Sequence, residues 1–282
     1  MTLDATMTLR LWFTFLFFCI PWTFALAATQ AELEGLVKWV QSKGGFFNSK
    51  QEIRHEDPTD PTSLLGVFAK ERIDKDEILA RIPWDIIIDS GGQAISDDTV
   101  MNCNTIRNLV QQMKLGEKSM YWPFVSYLMS QRVGQIPSAW SEEGKDLLEE
   151  MIGKTSDVLP PEFATDWLDN DWYKVCHGDR NDPLAANAAM LVIQRADDDI
   201  LVPLFDIYNH RNGRFLNTEN EVNTGKDYTI TASRVIEAGE QIYMSYNMCS
   251  TCNGRENRYG TGGEFLFLDL KSFRIDLGIC YI

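Results

Sequence analysis

The chain has 282 residues, of which 44% are hydrophobic, and its 41 Asp and Glu against 26 Lys and Arg give a formal charge of −15. This length and composition predict one globular domain, or at most two, and exclude disorder for most of the chain. So acidic a chain argues against nucleic acid as a direct ligand, because phosphate binding needs clustered Lys and Arg. Basic proteins or cationic small molecules are the favoured partners.

The first 27 residues differ in character from the rest. An uncharged apolar run at 11–20 follows Arg10 and precedes Ala25-Leu26-Ala27, a layout that predicts a secretory signal peptide at 1–27. The alternative is an uncleaved membrane anchor, because residues 11–28 contain no charged side chain. We therefore expect the secretory pathway, in the ER or Golgi lumen or secreted, with membrane attachment only if this segment is uncleaved. A plastid transit peptide fits less well, because acidic residues follow at once.

The next part of the chain changes from helical to strand-like spacing. Residues 31–43 place Leu33, Leu36, Val37 and Val40 on one helical face, and two glycines supply a stop. Residues 65–89 contain short β-branched runs, interrupted at 74–76 by a turn-like Asp-Lys-Asp. We interpret this stretch as two or three strands that follow an opening helix.

The middle of the chain is helical and its last third is strand-like. Apolar residues recur at helical spacing over 106–113, after Ser141 and over 184–196, which predicts a helical insert at about 100–197. Strand patterns follow at 201–210, 228–236 and 237–246, although Pro203 demotes the first of these to an edge or irregular strand. The order predicts an α+β protein whose sheet is assembled from both ends of the chain.

Three stretches in this order resemble the SET domain of the protein methyltransferases, in the branch of the Rubisco large-subunit lysine methyltransferase. They are residues 63–83; Met120 to Phe124, Pro137 to Trp140 and Leu159 to Pro161 leading to 190–210; and 239–247 followed by Asn257-Arg258-Tyr259-Gly260. The resemblance implies a SET-type fold of short β-strands from both chain ends with a central helical insert. It places the domain at 31–270 and a C-terminal tail at 271–282.

The resemblance also implies an activity and a cofactor site. It points to transfer of methyl from S-adenosyl-L-methionine to a lysine of a protein substrate, with histidine as an alternative target, and without a metal. Gly66 corresponds to a glycine whose backbone approaches the cofactor, or else it only marks a strand entry. Arg195 corresponds to the arginine on the methionine carboxylate, or else to a surface arginine at a helix end. Asn209 and His210 would contact the adenine end beneath a later segment that threads over them, with Asp206 holding their loop.

The resemblance places the catalytic groups on two tyrosines. Tyr246 would line the lysine channel, with core packing as the alternative. Tyr259 lies 13 residues later and would carry the catalytic hydroxyl, unless Leu270 occupies that place. Leu64 and Asp76 stand where relatives have glycine, and the C-terminal residues depart from the family pattern. These departures favour the alternative of a catalytically impaired SET-like module for binding or assembly.

The cysteines leave several roles open. After removal of 1–27, five remain, at 103, 176, 249, 252 and 280, and an odd number predicts at least one free thiol or an intermolecular bond. The pair Cys249 and Cys252 could form a short disulfide, lie in an ordinary loop, or bind zinc together with Cys176, His177 and Cys280.

Overall fold

The computed structural model describes residues 29–61, 63–91, 103–131, 141–144, 146, 168–197, 199–211 and 213–245. The predicted signal peptide at 1–27 and the predicted tail at 271–282 lie outside these residues. No helix among the described residues combines the length and the apolar character needed to cross a bilayer.

The strands form two antiparallel sheets, and each sheet combines early and late parts of the chain. The strands are β1 (Phe46–Phe47), β2 (Gln51–His55), β3 (Leu65–Ala69), β4 (Ile78–Pro83), β5 (Thr218–Asn223), β6 (Asp227–Ala232) and β7 (Gln241–Ile242). One sheet has the order β1-β4-β6-β5 and the other β2-β3-β7. The prediction of an α+β protein with sheets assembled from both chain ends is therefore confirmed.

Among the described residues, helices precede the first strand and recur between β4 and β5. The α-helices are α1 (Gln30–Ser42), α2 (Cys103–Leu115), α3 (Trp122–Met129) and α4 (Pro183–Arg195), with a π-helix at Leu168–Val175. Short 3₁₀ turns occupy Trp84–Ile86, Gly116–Lys118, Phe205–Ile207 and Gly213–Phe215. The helices from α2 to α4 fall within the predicted insert at about 100–197.

The opening helix α1 forms where its sequence supplies both a cap and an apolar face. The Thr29 hydroxyl accepts the Glu32 amide, and the Glu32 carboxylate accepts the Thr29 amide at 2.7 Å, which completes a capping box. Leu33, Leu36 and Val40 are buried, as the periodicity predicts. A cap of this kind stabilises a helix by about 1 kcal/mol.

The three-stranded sheet has one core face and one polar face. Ile53, Val67 and Ile242 are cross-strand neighbours in register, and all three are buried in the hydrophobic core. Because side chains alternate along a strand, the neighbouring positions Gly66 and Phe68 face the opposite side of the sheet. The Arg54 guanidinium stacks there at 3.5 Å from the Phe68 ring centre. The core thus fixes the side on which Gly66 lies.

The segment 201–210, for which the sequence predicts an edge or irregular strand, forms an isolated bridge followed by a turn. Leu201 makes an isolated bridge to Ile88, and the chain then turns through Phe205–Ile207. Pro203 lacks the amide hydrogen that a strand ladder needs, and Leu204 adopts a φ of 70°, outside the extended region. This turn carries Asp206 and leads directly into Asn209 and His210.

A disulfide links two segments of the helical insert. Cys103 at the start of α2 is bonded to Cys176, just beyond the π-helix, 73 positions later in the sequence. The Arg107 guanidinium donates to the Cys176 carbonyl at 2.7 Å and ties the same two segments. The suggestion that Cys176 completes a zinc site is therefore wrong, because its sulfur is already engaged.

Candidate functional site

Gly66 and Asn209 come together at the polar face of the three-stranded sheet. The Asn209 amide nitrogen donates to the Leu65 carbonyl at 3.1 Å. A Cβ placed on Gly66 would lie 2.9 Å from that same nitrogen and would overlap the Gln241 amide nitrogen. A side chain at this position would require the ends of the Gln241 and Asn209 side chains to move. Whether Gly66 contacts a cofactor or marks a strand entry stays a prediction.

The segment after β7 threads past Asn209 and His210, as the resemblance implies. His210 forms a parallel bridge with Met244. The Met244 amide donates to the Asn209 carbonyl at 3.0 Å, and the Arg211 amide donates to the Met244 carbonyl at 3.1 Å. Both side chains of the Asn-His pair are half-buried. Met244 therefore holds the backbone on either side of His210.

Asn217 holds the threading segment in place. Its side-chain nitrogen donates to the Gln241 carbonyl at 2.9 Å, and its side-chain oxygen accepts the Tyr243 amide at 2.7 Å. Asn217 is fully buried, so its amide replaces backbone partners that this stretch of β7 would otherwise lack. Sequence reasoning missed Asn217, because an asparagine that opens the polar run at 217–221 is typical of an exposed turn.

Arg195, the last residue of α4, is paired within the same region. Its guanidinium donates to the Asp206 carboxylate at 2.6 Å and to the Gln131 side-chain oxygen at 3.0 Å. The Tyr127 hydroxyl donates to the same carboxylate oxygen at 3.0 Å. The Arg195 and Asp206 side chains are only 17% and 7% exposed. The alternative of a surface arginine at a helix end is therefore wrong, and Asp206 anchors the turn that precedes Asn209.

A buried tyrosine fixes the other side of this loop. Tyr208 is fully buried, and its hydroxyl donates to the Gln51 side-chain oxygen at 3.2 Å. Gln51 in turn donates to the Leu79 carbonyl at 2.8 Å. Burial raises the pKa of the Tyr208 hydroxyl, which keeps it protonated and able to donate. The loop that carries Asn209 is thereby tied to β2 and β4.

The donor set has a definite chemical character. Asn209 offers a side-chain amide, His210 offers an imidazole, and Arg195 offers a guanidinium whose charge is partly balanced by Asp206. Gly66 presents backbone that the Gln241 and Asn209 amides pack against. Such a set suits a ligand that combines a heterocycle with a carboxylate. The described residues contain no group of three or more His, Cys, Asp or Glu arranged to hold a metal ion.

The remaining predicted site residues lie outside the described residues. These are the two tyrosines assigned to catalysis, Tyr246 and Tyr259, and the pair Cys249 and Cys252. Their roles stay predictions. The described chain reaches Ser245, immediately before the first of the two tyrosines.

Comparison with known proteins gives a family match and structural neighbours. The SET domain family profile matches residues 65–247. The SET domain of LSMT bound to lysine and AdoHcy aligns with a TM-score of 0.55 at 14% identity, over 83% of this chain and 57% of that one. Rubisco LSMT bound to sinefungin and monomethyllysine aligns with a TM-score of 0.54 at 17% identity, over 83% and 56%.

These alignments confirm the SET-type fold. They say nothing further at such low identity, and the chain spans little more than half the length of the two structures. A comparison with curated protein sequences gave no match.

Proposed function

The chain belongs to the SET-domain family, and on this basis we propose that it is a protein N-methyltransferase that methylates lysine and uses S-adenosylmethionine. The observation that carries the proposal is the crossing of Met244 over Asn209 and His210, beside a Gly66 whose backbone is packed against the Gln241 and Asn209 amides. Two structural neighbours that bind lysine or monomethyllysine support the choice of target. AdoHcy in one of them supports the choice of cofactor.

Each predicted site residue has a role in this proposal. Asn209 and His210 would hold the adenine end, Arg195 the carboxylate, and the Gly66 backbone would border the cofactor. The cofactor supplies a methyl group on a sulfonium cation, which a neutral amine can attack in line. Tyr246 would line the lysine channel and Tyr259 would orient the amine.

The departure at Asp76 does not count against the enzyme. Asp76 adopts a φ of 65°, the left-handed region that favours glycine, and its amide still donates to the Ala232 carbonyl at 2.8 Å. Asp is among the residues that tolerate this conformation. The turn that relatives build with glycine is therefore kept here with aspartate.

The activity can be tested with methyl-labelled cofactor and a protein extract. We expect label on lysine of at least one protein, and we expect Asn209→Ala to abolish it. The matched control is Asn181→Ala, an exposed asparagine that bonds to Asp179 in the loop before α4, and it should leave labelling unchanged. Cofactor binding without any labelled protein would contradict the enzyme and favour the SET-like binding or assembly module. Label on histidine would contradict the choice of lysine.

We also propose that the protein enters the secretory pathway. The apolar run at 11–20 supports this, and so does the Cys103–Cys176 disulfide, because disulfides persist mainly in oxidising compartments. A fluorescent fusion of residues 1–35 should reach the ER, whereas a variant with two aspartates in the run should stay in the cytosol. A cytosolic wild-type fusion would contradict the proposal.

A further inference from the structure

Gln241 lies over the proposed cofactor glycine and is held at both ends of its amide. In β7 it stands opposite Phe68 of β3, on the face that Phe68 shares with Gly66. The Tyr243 hydroxyl donates to its side-chain oxygen at 2.6 Å. Its side-chain nitrogen donates to the Glu56 carboxylate at 3.2 Å. Gln241 is buried, so this amide has a defined orientation.

The contact with Gly66 follows from this orientation. A Cβ on Gly66 would overlap the Gln241 amide nitrogen and would lie 2.9 Å from the Asn209 amide nitrogen. Two side-chain amides therefore pack directly on one stretch of backbone. Asn209 is fixed there by the Leu65 carbonyl, and Gln241 is fixed by Glu56 and Tyr243. A shift of the Gln241 side chain would remove one of the two amides that pack on the Gly66 backbone.

We propose that Gln241 is a positioning residue for the cofactor site, which acts by packing its Glu56-bound and Tyr243-bound amide on the Gly66 backbone. The inference rests on the proposed function, which assigns Gly66 and Asn209 to the cofactor site. It adds the requirement for a hydrogen bond between the side chains at positions 241 and 56, which lie 185 positions apart in the sequence.

A reciprocal exchange tests the pair. Gln241→Glu sets two carboxylates against each other where the amide nitrogen now donates to Glu56. Glu56→Gln keeps an oxygen that can accept from Gln241. The double variant Gln241→Glu with Glu56→Gln restores a donor and an acceptor, with the roles reversed. Gln112→Glu is the matched control, because Gln112 in α2 is also bonded at both ends, to Asn108 and Ser119, and contacts neither Gly66 nor Asn209 in the described structure.

The readout is the Kd for S-adenosylhomocysteine, measured calorimetrically on the full chain, together with the ligand-free Tm. We expect Gln241→Glu to raise the Kd about tenfold, the effect of one lost charge-assisted hydrogen bond. The reciprocal variant should return the Kd to within about threefold of wild type, and Glu56→Gln and Gln112→Glu should stay within the same margin. Tyr243→Phe, which removes the other partner of the amide, should raise the Kd about fivefold, beyond that margin.

The outcomes separate this inference from the proposed function. If the wild type binds S-adenosylhomocysteine but Gln241→Glu binds equally well, the inference is wrong and the proposed function stands. The same holds if the reciprocal variant fails to recover affinity although its Tm matches that of the wild type. If the wild type itself does not bind, the proposed function is wrong and this inference fails with it.

Discussion

At the scale of single residues, Asp76 has a backbone conformation that few side chains accept. Its φ of 65° falls in the left-handed region, where a β-branched residue is strongly disfavoured. We expect Asp76→Val to lower the free energy of unfolding by about 1–2 kcal/mol, and Asp76→Gly to change it by less than about 0.5 kcal/mol. Lys75→Val, at the exposed neighbouring position, should cost less than about 0.5 kcal/mol. Urea unfolding checks this, and equal costs for valine at 75 and 76 would contradict it.

The buried ion pair of Arg195 and Asp206 should stabilise the fold far more than the exposed ion pair of Arg180 and Asp169. Asp206→Asn leaves a largely buried guanidinium without its carboxylate, and we expect a loss of about 2–3 kcal/mol at pH 7. Asp169→Asn is the matched control, because the Asp169–Arg180 pair has the same 2.6 Å separation but side chains more than half exposed. That substitution should cost less than about 1 kcal/mol. Similar losses in the two variants would show that burial does not set the strength of the pair.

At the scale of elements, the turn before β7 carries a pH dependence. Hydrogen bonds from the Arg234 guanidinium lower the pKa of Glu240, and the carboxylate also accepts the Glu237 amide at 3.1 Å. The ionised form is therefore favoured by folding. Its contribution is present above the unfolded pKa of about 4.5 and is lost as the pH falls through the lower folded value.

We expect Glu240→Gln to cost about 1 kcal/mol at pH 7. The difference from wild type should shrink as the pH falls through the lowered folded pKa of Glu240, because the wild-type carboxyl then becomes protonated as well. Urea unfolding at a series of pH values measures this difference. Parallel wild-type and variant stabilities across the series would contradict the assignment.

Some elements could be predicted from the sequence and others could not, for identifiable reasons. The helices α1 and α4 show apolar periodicity with capping residues at their starts, Thr29 and Asp182. The strand β5 was missed because its side chains are polar and mostly exposed, so only its backbone pairing with β6 defines it. The strand β2 was missed because its buried Gln51 breaks the apolar alternation that identifies a strand.

The residues of the candidate site also divide into those that the sequence predicts and those that it does not. The family resemblance predicts roles for Gly66, Asn209 and Arg195, and the structure brings Gly66 and Asn209 together. It did not identify Gln241 and Asn217, because amides are common in turns and at strand ends. Their roles come from long-range partners such as Glu56, which no local pattern reveals.

At the scale of the whole molecule, the Cys103–Cys176 disulfide closes a loop of 73 residues that contains α2, α3 and the π-helix. A cross-link of that span should stabilise the fold by about 4 kcal/mol, through restriction of the unfolded chain. We expect the double variant Cys103→Ser, Cys176→Ser to lose most of this in urea unfolding under oxidising conditions. A reducing agent should destabilise the wild type and leave the double variant unchanged. A difference below about 1 kcal/mol would contradict the prediction.

The pairing of β3 with β7 also determines when the molecule can finish folding. Val67 and Ile242 are partners in the ladder although 175 residues separate them. Ribosomes add about 5–20 residues per second, so β3 waits roughly 10–35 s for its second neighbour during synthesis. Through that interval β2 covers one edge of β3 while the other edge stays available to other chains. Chaperones that bind exposed strand edges have their longest opportunity here, before the residues that complete the proposed cofactor site emerge.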